Sequence, residues 1–102
     1  MSVRIFDYNE YGPGMGFPSM KQSMLDKPYT GQDKIIAYLK RGRKTYAAAG
    51  RAYDFFTGEA IPGENCGMTD GTFSWVSSLS YYVERYNLRL APEFEKYVLS
   101  KG

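Results

Sequence analysis

Residues 69–86 constrain the fold of this chain most, because a turn, a strand and a helix signal follow one another there without a gap. Asp70-Gly71 is typical of a tight hairpin turn between antiparallel strands. Polar and aromatic side chains then alternate through Thr72-Phe73-Ser74-Trp75, which predicts a strand with Phe73 and Trp75 on its buried face. With three further candidate segments, at residues 44–48, 52–56 and 59–61, this strand predicts a small antiparallel sheet.

A short helix is predicted before the sheet, over residues 32–41. Thr30-Gly31-Gln32-Asp33 has the pattern of an N-cap followed by an acidic residue three positions on. Gly42 is the expected stop, because a glycine directly after a helix accepts the left-handed conformation.

Two more helices are predicted towards the C-terminus. Ser77 or Ser78 is the expected N-cap of the first, and Asn87 ends it in a left-handed conformation. Pro92 fits the first position of the second. Apolar residues recur at helical spacing in both helices. The predicted core comprises Ile35, Ile36, Leu39, Phe73, Trp75, Leu79, Tyr82, Val83, Phe94 and Val98.

The chain is predicted to hold one small domain after an irregular N-terminal arm. Residues 11–18 are so rich in glycine and proline that neither helix nor strand is expected there. The segment also lacks the helix that a phosphate-binding glycine loop would need directly after it. We therefore divide the chain into an arm, residues 1–29, and an α+β domain, residues 30–102. In this domain one helix precedes a three- or four-stranded antiparallel sheet, and two C-terminal helices pack on the sheet.

Composition argues against the commonest catalytic and metal sites. The 102 residues include no histidine and one cysteine, Cys66. Histidine is the usual general base near neutral pH and the commonest metal ligand, so we expect no metal, no cofactor and no catalytic residue. Cys66 has no base or positive charge near it in sequence and is expected to be a buried or incidental thiol. A carboxylate-dependent enzyme stays open, although Asp54 and Asp70 are read more simply as turn formers that bond nearby backbone N–H groups.

A basic segment and two tyrosines are the candidate binding residues. Lys40, Arg41, Arg43, Lys44 and Arg51 follow one another without an intervening acidic residue. They fit either a solvated sheet edge, where cations discourage strand pairing, or a patch for an anionic partner. Tyrosine and arginine concentrate binding energy at protein interfaces. The predicted partner-binding residues are Tyr53, Tyr81, Arg85, Arg41, Arg43 and Lys44.

Several runs of the chain resemble a group of small bacterial proteins. These runs are Lys27-Pro28-Tyr29, residues 34–42, residues 54–59, residues 69–75, residues 81–86 and residues 90–94. Some members of this group are similar to the immunity proteins of polymorphic toxin systems. The resemblance covers residues 27–98 and implies a helix–sheet–helix–helix body, and it brings no catalytic residues with it.

The expected function is therefore non-enzymatic protein binding, as an immunity or inhibitor protein that covers the site of a toxin or enzyme. Ten tyrosines and the small size of the chain favour this reading. The alternative is a small binder of nucleic acid or a nucleotide, which would use the basic 40–51 segment with aromatic stacking. A homodimer is compatible with either. We expect a cytoplasmic protein that does not enter a membrane, since no apolar run is long enough.

Overall fold

The computed structural model describes residues 3–48 and 50–101. Within them four strands form one sheet: β1 (Val3–Arg4), β2 (Arg43–Ala47), β3 (Cys66–Thr69) and β4 (Phe73–Val76). Three α-helices accompany the sheet: α1 (Gln32–Lys40), α2 (Leu79–Tyr86) and α3 (Pro92–Ser100). A short 3-10 helix covers Met20–Ser23. The α+β class is confirmed.

The sheet is mixed, so the prediction of a purely antiparallel sheet was wrong. The strand order is β1-β4-β3-β2, and β2–β3 and β3–β4 are antiparallel pairs. β1 runs parallel to β4, with Val3 opposite Phe73. A parallel neighbour must arrive by a long connection, and here the connection contains α1, β2 and β3. Hairpin signals in the sequence report only neighbours joined by short turns, which explains the error.

The hairpin around Asp70 forms as predicted, but its first strand was not predicted, and the candidate strand at residues 52–56 does not form. β3, at Cys66–Thr69, was missed because Gly67 interrupts the β-branched and aromatic pattern expected of a strand. Residues 52–56 were expected to be a strand and instead enter a turn. A single bridge between Tyr53 and Ala60 is what remains of the predicted pairing there.

The helices begin and end close to the predicted positions, although two of the predicted caps work differently. Gly31, with φ at 86°, is the N-cap of α1, and no side chain caps that end. Ser78 is the N-cap of α2, but its hydroxyl bonds Tyr11 rather than the helix backbone. Asn87 ends α2 in the left-handed conformation, and Pro92 opens α3, both as predicted.

The core lies between the sheet and the helices. Phe73 and Trp75 face it from β4, and the Trp75 indole N–H donates to the carbonyl of Leu39 in α1 at 3.2 Å. Phe94 of α3 packs its ring against both aromatic residues. Every predicted core residue is buried except Ile36, which is half-buried at the edge of the cluster. Trp75 therefore anchors α1 and α3 to one strand.

The first 29 residues contribute to this packing. Ile5, Tyr8 and Met20 are buried, whereas Met15 is 68% exposed. Residues 11–18 form no helix or strand, as their glycine and proline content predicted. The division of the chain at residue 30 stays a prediction.

Candidate functional site

The predicted binding residues fall into two groups. The first, which we call the basic edge, comprises Arg41, Arg43, Lys44 and the exposed Tyr46, at the end of α1 and along β2. The second, which we call the Asp54 cluster, comprises Asp54, Glu59, Tyr81, Arg85 and Tyr86, in the 54–59 turn and on α2. Within the described residues no hydrogen bond or ion pair joins the two groups.

The Asp54 cluster is built around a carboxylate whose side chain is fully buried. One oxygen accepts the backbone N–H groups of Phe56 and Thr57, at 2.7 and 3.1 Å. The other accepts the hydroxyls of Tyr81 and Tyr86, at 2.8 and 2.6 Å. The expectation that Asp54 forms a turn by bonding nearby backbone is confirmed, but two tyrosines of α2 share the same carboxylate.

Charge completes this cluster at the surface. Arg85 donates to the Tyr81 hydroxyl at 2.6 Å and to Glu59 at 3.2 Å, and it lies 3.8 Å from the Asp54 carboxylate. Burial alone would raise the pKa of Asp54. The hydrogen bonds from Tyr86, Phe56, Tyr81 and Thr57 outweigh burial and hold this pKa below its ordinary value. Asp54 is therefore an ionised, fully bonded group that ties the turn to α2.

Tyr82 strengthens the same attachment from the next position of α2. Its hydroxyl accepts the N–H of Phe55 at 3.1 Å and donates to the carbonyl of Tyr53 at 3.3 Å. Its ring stacks on Phe55, with 5.5 Å between the centroids. Tyr53 itself turns outward and is 55% exposed. Of the predicted binding residues in this region, only Tyr53 has no side-chain bond within the described residues.

The tyrosine surplus serves the interior more than the sequence indicated. Most tyrosine hydroxyls bond within the chain, and the aromatic rings pack against the core. A sequence shows the number of tyrosines, but not which hydroxyls find an internal acceptor. The internally bonded tyrosines are Tyr8, Tyr11, Tyr29, Tyr38, Tyr81, Tyr82 and Tyr86.

The basic edge is exposed along its whole length. β2 is the last strand of the sheet, and each of its five residues is exposed. Lys44 pairs with Glu64 at 2.9 Å, and Lys40, just before the edge, pairs with Glu84 at 3.5 Å. Within residues 3–48 and 50–101, Arg41 and Arg43 have no carboxylate within 4.0 Å. These two guanidinium groups carry the uncompensated charge of the edge.

Two glycines shape this edge by letting aromatic rings lie against the backbone. A Cβ on Gly67 would come within 2.2 Å of the Tyr46 ring, so this ring packs directly against the backbone of β3. A Cβ on Gly42 would come within 2.6 Å of the Trp75 ring. Gly42 was predicted as a left-handed stop, but its φ is not positive, and close packing explains the glycine instead.

A cavity of about 310 Å³ opens where the basic edge begins. It is bounded by Arg41, Gly42 and Arg43, and by Tyr38, Thr69 and Asp70. Asp70 takes part in internal bonds: one oxygen accepts the N–H groups of Thr72 and Phe73, and the other accepts the Tyr38 hydroxyl. Although burial opposes ionisation, these bonds lower the pKa of Asp70. The arginines at this cavity are thus its open polar groups.

Other chemistry is sparse in the described part of the chain. Cys66 is buried, as expected, with its thiol 3.6 Å from the sulfur of Met68. No group of three or more Cys, Asp or Glu side chains there is arranged to hold a metal ion. Among the described residues, no helix has the length and apolar character to cross a bilayer.

No family model, no curated protein and no solved structure matches this chain. The resemblance to immunity proteins therefore stays a prediction, and the proposals below rest on the geometry of the chain.

Proposed function

We propose that the protein is a non-enzymatic binding module that attaches to another protein through its basic edge. The observation that carries this proposal is the full exposure of β2 together with Arg41 and Arg43, which pair with no carboxylate of the described residues. A strand that is exposed on every residue is open to a partner, whose polar groups can replace the water that its backbone and side chains lose on binding. Tyr46, 58% exposed and packed against Gly67, adds an aromatic contact.

The kind of partner follows from charge. Unpaired guanidinium groups form bidentate bonds with carboxylates, so an acidic protein surface suits this edge. An immunity or inhibitor protein that covers the site of a toxin or enzyme is the role we propose, in the cytoplasm. An acidic partner surface disfavours a nuclease, because the site of a nuclease is itself positive.

Photo-crosslinking in the cells that make the protein tests this proposal. A benzophenone amino acid replaces Tyr46 in one variant and the exposed Lys96 of α3 in the control. We expect a discrete protein to be captured from position 46 and not from position 96, and its activity to fall when the unmodified chain is added. Equal capture from both positions would remove the binding role, and unchanged activity of the captured protein would remove the inhibitor role.

Nucleic-acid binding is the second candidate, favoured by the position of Tyr46 beside Arg43. An exposed aromatic ring next to unpaired arginines fits a base stacked above a backbone phosphate. A salt titration separates the two functions. Nucleic-acid affinity should fall steeply as salt rises, whereas a protein contact centred on Tyr46 should weaken much less.

A further inference from the structure

The outer side of β2 offers backbone groups as well as charges. Cys66 of β3 bonds Ser77 through both its N–H and its carbonyl, so its backbone points towards β4. Ala47 is the strand partner of Cys66 and therefore directs its own N–H and carbonyl away from β3. Lys44 is the strand partner of Met68, two positions after Cys66, so the backbone N–H and carbonyl of Lys44 also point away from β3. Within the described residues no segment pairs with this side of β2.

The side chains of β2 divide between the two faces of the sheet. Arg43 and Tyr46 lie opposite Thr69 and Gly67, on the face away from the core. Lys44 lies on the other face, where Glu64 neutralises it and raises its pKa. An additional strand would thus meet one uncompensated cation, Arg43, on its outer face, beside the ring of Tyr46.

The other edge of the sheet is a poorer place for a partner strand. β1 has two residues, and its Arg4 is already paired with Asp7 at 3.0 Å. β2 has five residues, and the cavity bounded by Arg41 and Arg43 adjoins its first residue. Five residues are enough to form several main-chain bonds with an added strand.

Two features of β2 also oppose indiscriminate pairing. The ladder is irregular between Lys44 and Tyr46, and bulges and cations are both means by which sheet edges avoid aggregation. Cations repel a basic strand or a second copy of this edge, but they attract an acidic one. These features of β2 therefore disfavour basic strands and self-pairing but still allow an acidic strand to pair.

We propose that the partner contributes an extended acidic segment that adds to β2 as a fifth strand, with a carboxylate seated between Arg41 and Arg43. This inference rests on the proposed function and specifies how the partner binds. Main-chain bonds to Ala47 and Lys44 supply affinity, and the arginines supply selectivity for acidic side chains.

Three capped octapeptides test the inference by NMR on the isotope-labelled chain. The first alternates threonine and glutamate, the second alternates threonine and lysine, and the third is the first with every backbone amide N-methylated. We expect only the first peptide to slow hydrogen exchange at the Ala47 amide, at millimolar concentration. Arg43→Glu should weaken its binding by at least roughly tenfold, and Lys96→Glu, the charge-matched control on α3, by less than about twofold. The fluorescence of Trp75 verifies that both variants are folded.

Several outcomes would overturn strand addition. These are unchanged exchange at Ala47 with the acidic peptide, equal binding of the lysine or N-methylated peptide, and self-association of the chain through β2. An oligothymidylate that displaces the acidic peptide at lower concentration would also overturn it, in favour of nucleic acid. A protein captured from position 46 whose complex leaves Ala47 unprotected would overturn strand addition while keeping the proposed function. Absence of any captured protein would remove the proposed function itself.

Discussion

At the scale of single residues, Asp54 is the buried carboxylate that joins the 54–59 turn to α2. Its buried carboxylate accepts four hydrogen bonds, two from the 54–59 turn and two from α2. An asparagine at position 54 has one acceptor oxygen instead of two and carries no charge, so the two backbone N–H groups and the two tyrosine hydroxyls would be bonded less well. Asp54→Asn should therefore lower the free energy of unfolding by about 1–3 kcal/mol. Urea unfolding measures this loss, with the exposed Asp26→Asn as the control, and equal stability of the two variants would contradict the assigned role.

The same residue predicts how stability depends on pH. Because the pKa of Asp54 lies below its ordinary value of 3.8, the folded state holds this proton less tightly than the unfolded chain. Its contribution is present above the unfolded pKa and is lost as pH falls through the folded pKa. The stability gap between the original chain and Asp54→Asn should therefore narrow as pH falls below about 4. Urea titrations at stepped pH measure this difference in stability. A difference that stays constant or widens in acid would contradict the lowered pKa of Asp54.

Gly42 gives a residue-scale prediction about the sheet edge. A methyl group there would come within 2.6 Å of the Trp75 ring, which is fully packed. Gly42→Ala should destabilise the chain by about 1–3 kcal/mol and shift Trp75 fluorescence, because the ring must move. At Gly12 the nearest atoms would be 3.4 Å away, on Met15 and the Phe17 ring, which is an ordinary contact distance, so Gly12→Ala is the control. Unchanged fluorescence in Gly42→Ala would contradict the close contact between Gly42 and the Trp75 ring.

At the scale of elements, the N-terminal segment is expected to unfold together with the sheet and helices. Met20 is fully buried against the core, whereas Met15, five positions earlier, is largely exposed. Met20→Ala should cost about 2–5 kcal/mol, and Met15→Ala should stay within about 0.5 kcal/mol of the original chain. Thermal unfolding measures both. Similar small effects from both substitutions would show that the N-terminal segment does not stabilise the domain.

Local signals explain which elements were predictable. Asp70-Gly71, Asn87 and Pro92 act through their own backbone preferences, so the hairpin, the end of α2 and the start of α3 follow from sequence. β1 and β3 depend on partners distant in the chain, and no local pattern reports those partners. The 52–56 segment has strand-like composition, but the Asp54 carboxylate closes it into a turn with help from α2.

The candidate site also has a part that could be predicted from the sequence and a part that could not. Exposure of Arg41 and Arg43 follows from their place between the end of a helix and a strand, so the basic edge could be found in sequence. The internal bonding of Tyr81 and Arg85 could not be found in sequence. It depends on Asp54, which lies 27 positions before Tyr81 and contacts α2 only in the folded chain. Pairing of Lys44 with Glu64 was equally invisible.

At the scale of the whole molecule, aromatic residues and buried carboxylates stabilise the interior, and among the described residues β2 is an uncovered edge of the sheet. Tyrosine hydroxyls bond backbone carbonyls, serine and carboxylates across segments far apart in sequence. Such bonds hold loops that have little regular structure of their own. Arg43 and the exposed β2 strand lie apart from these bonds, which separates the residues for folding from those proposed for binding.

The affinity of the captured partner for two charge-reversed variants tests the central claim most directly. Arg43→Glu and Lys96→Glu change the net charge equally, but only Arg43 lies on the basic edge. We predict at least roughly tenfold weaker binding for Arg43→Glu and less than about twofold for Lys96→Glu, since a local contact rather than overall charge controls the affinity. Equal affinities for the two variants would contradict the claim that this protein binds its partner through β2.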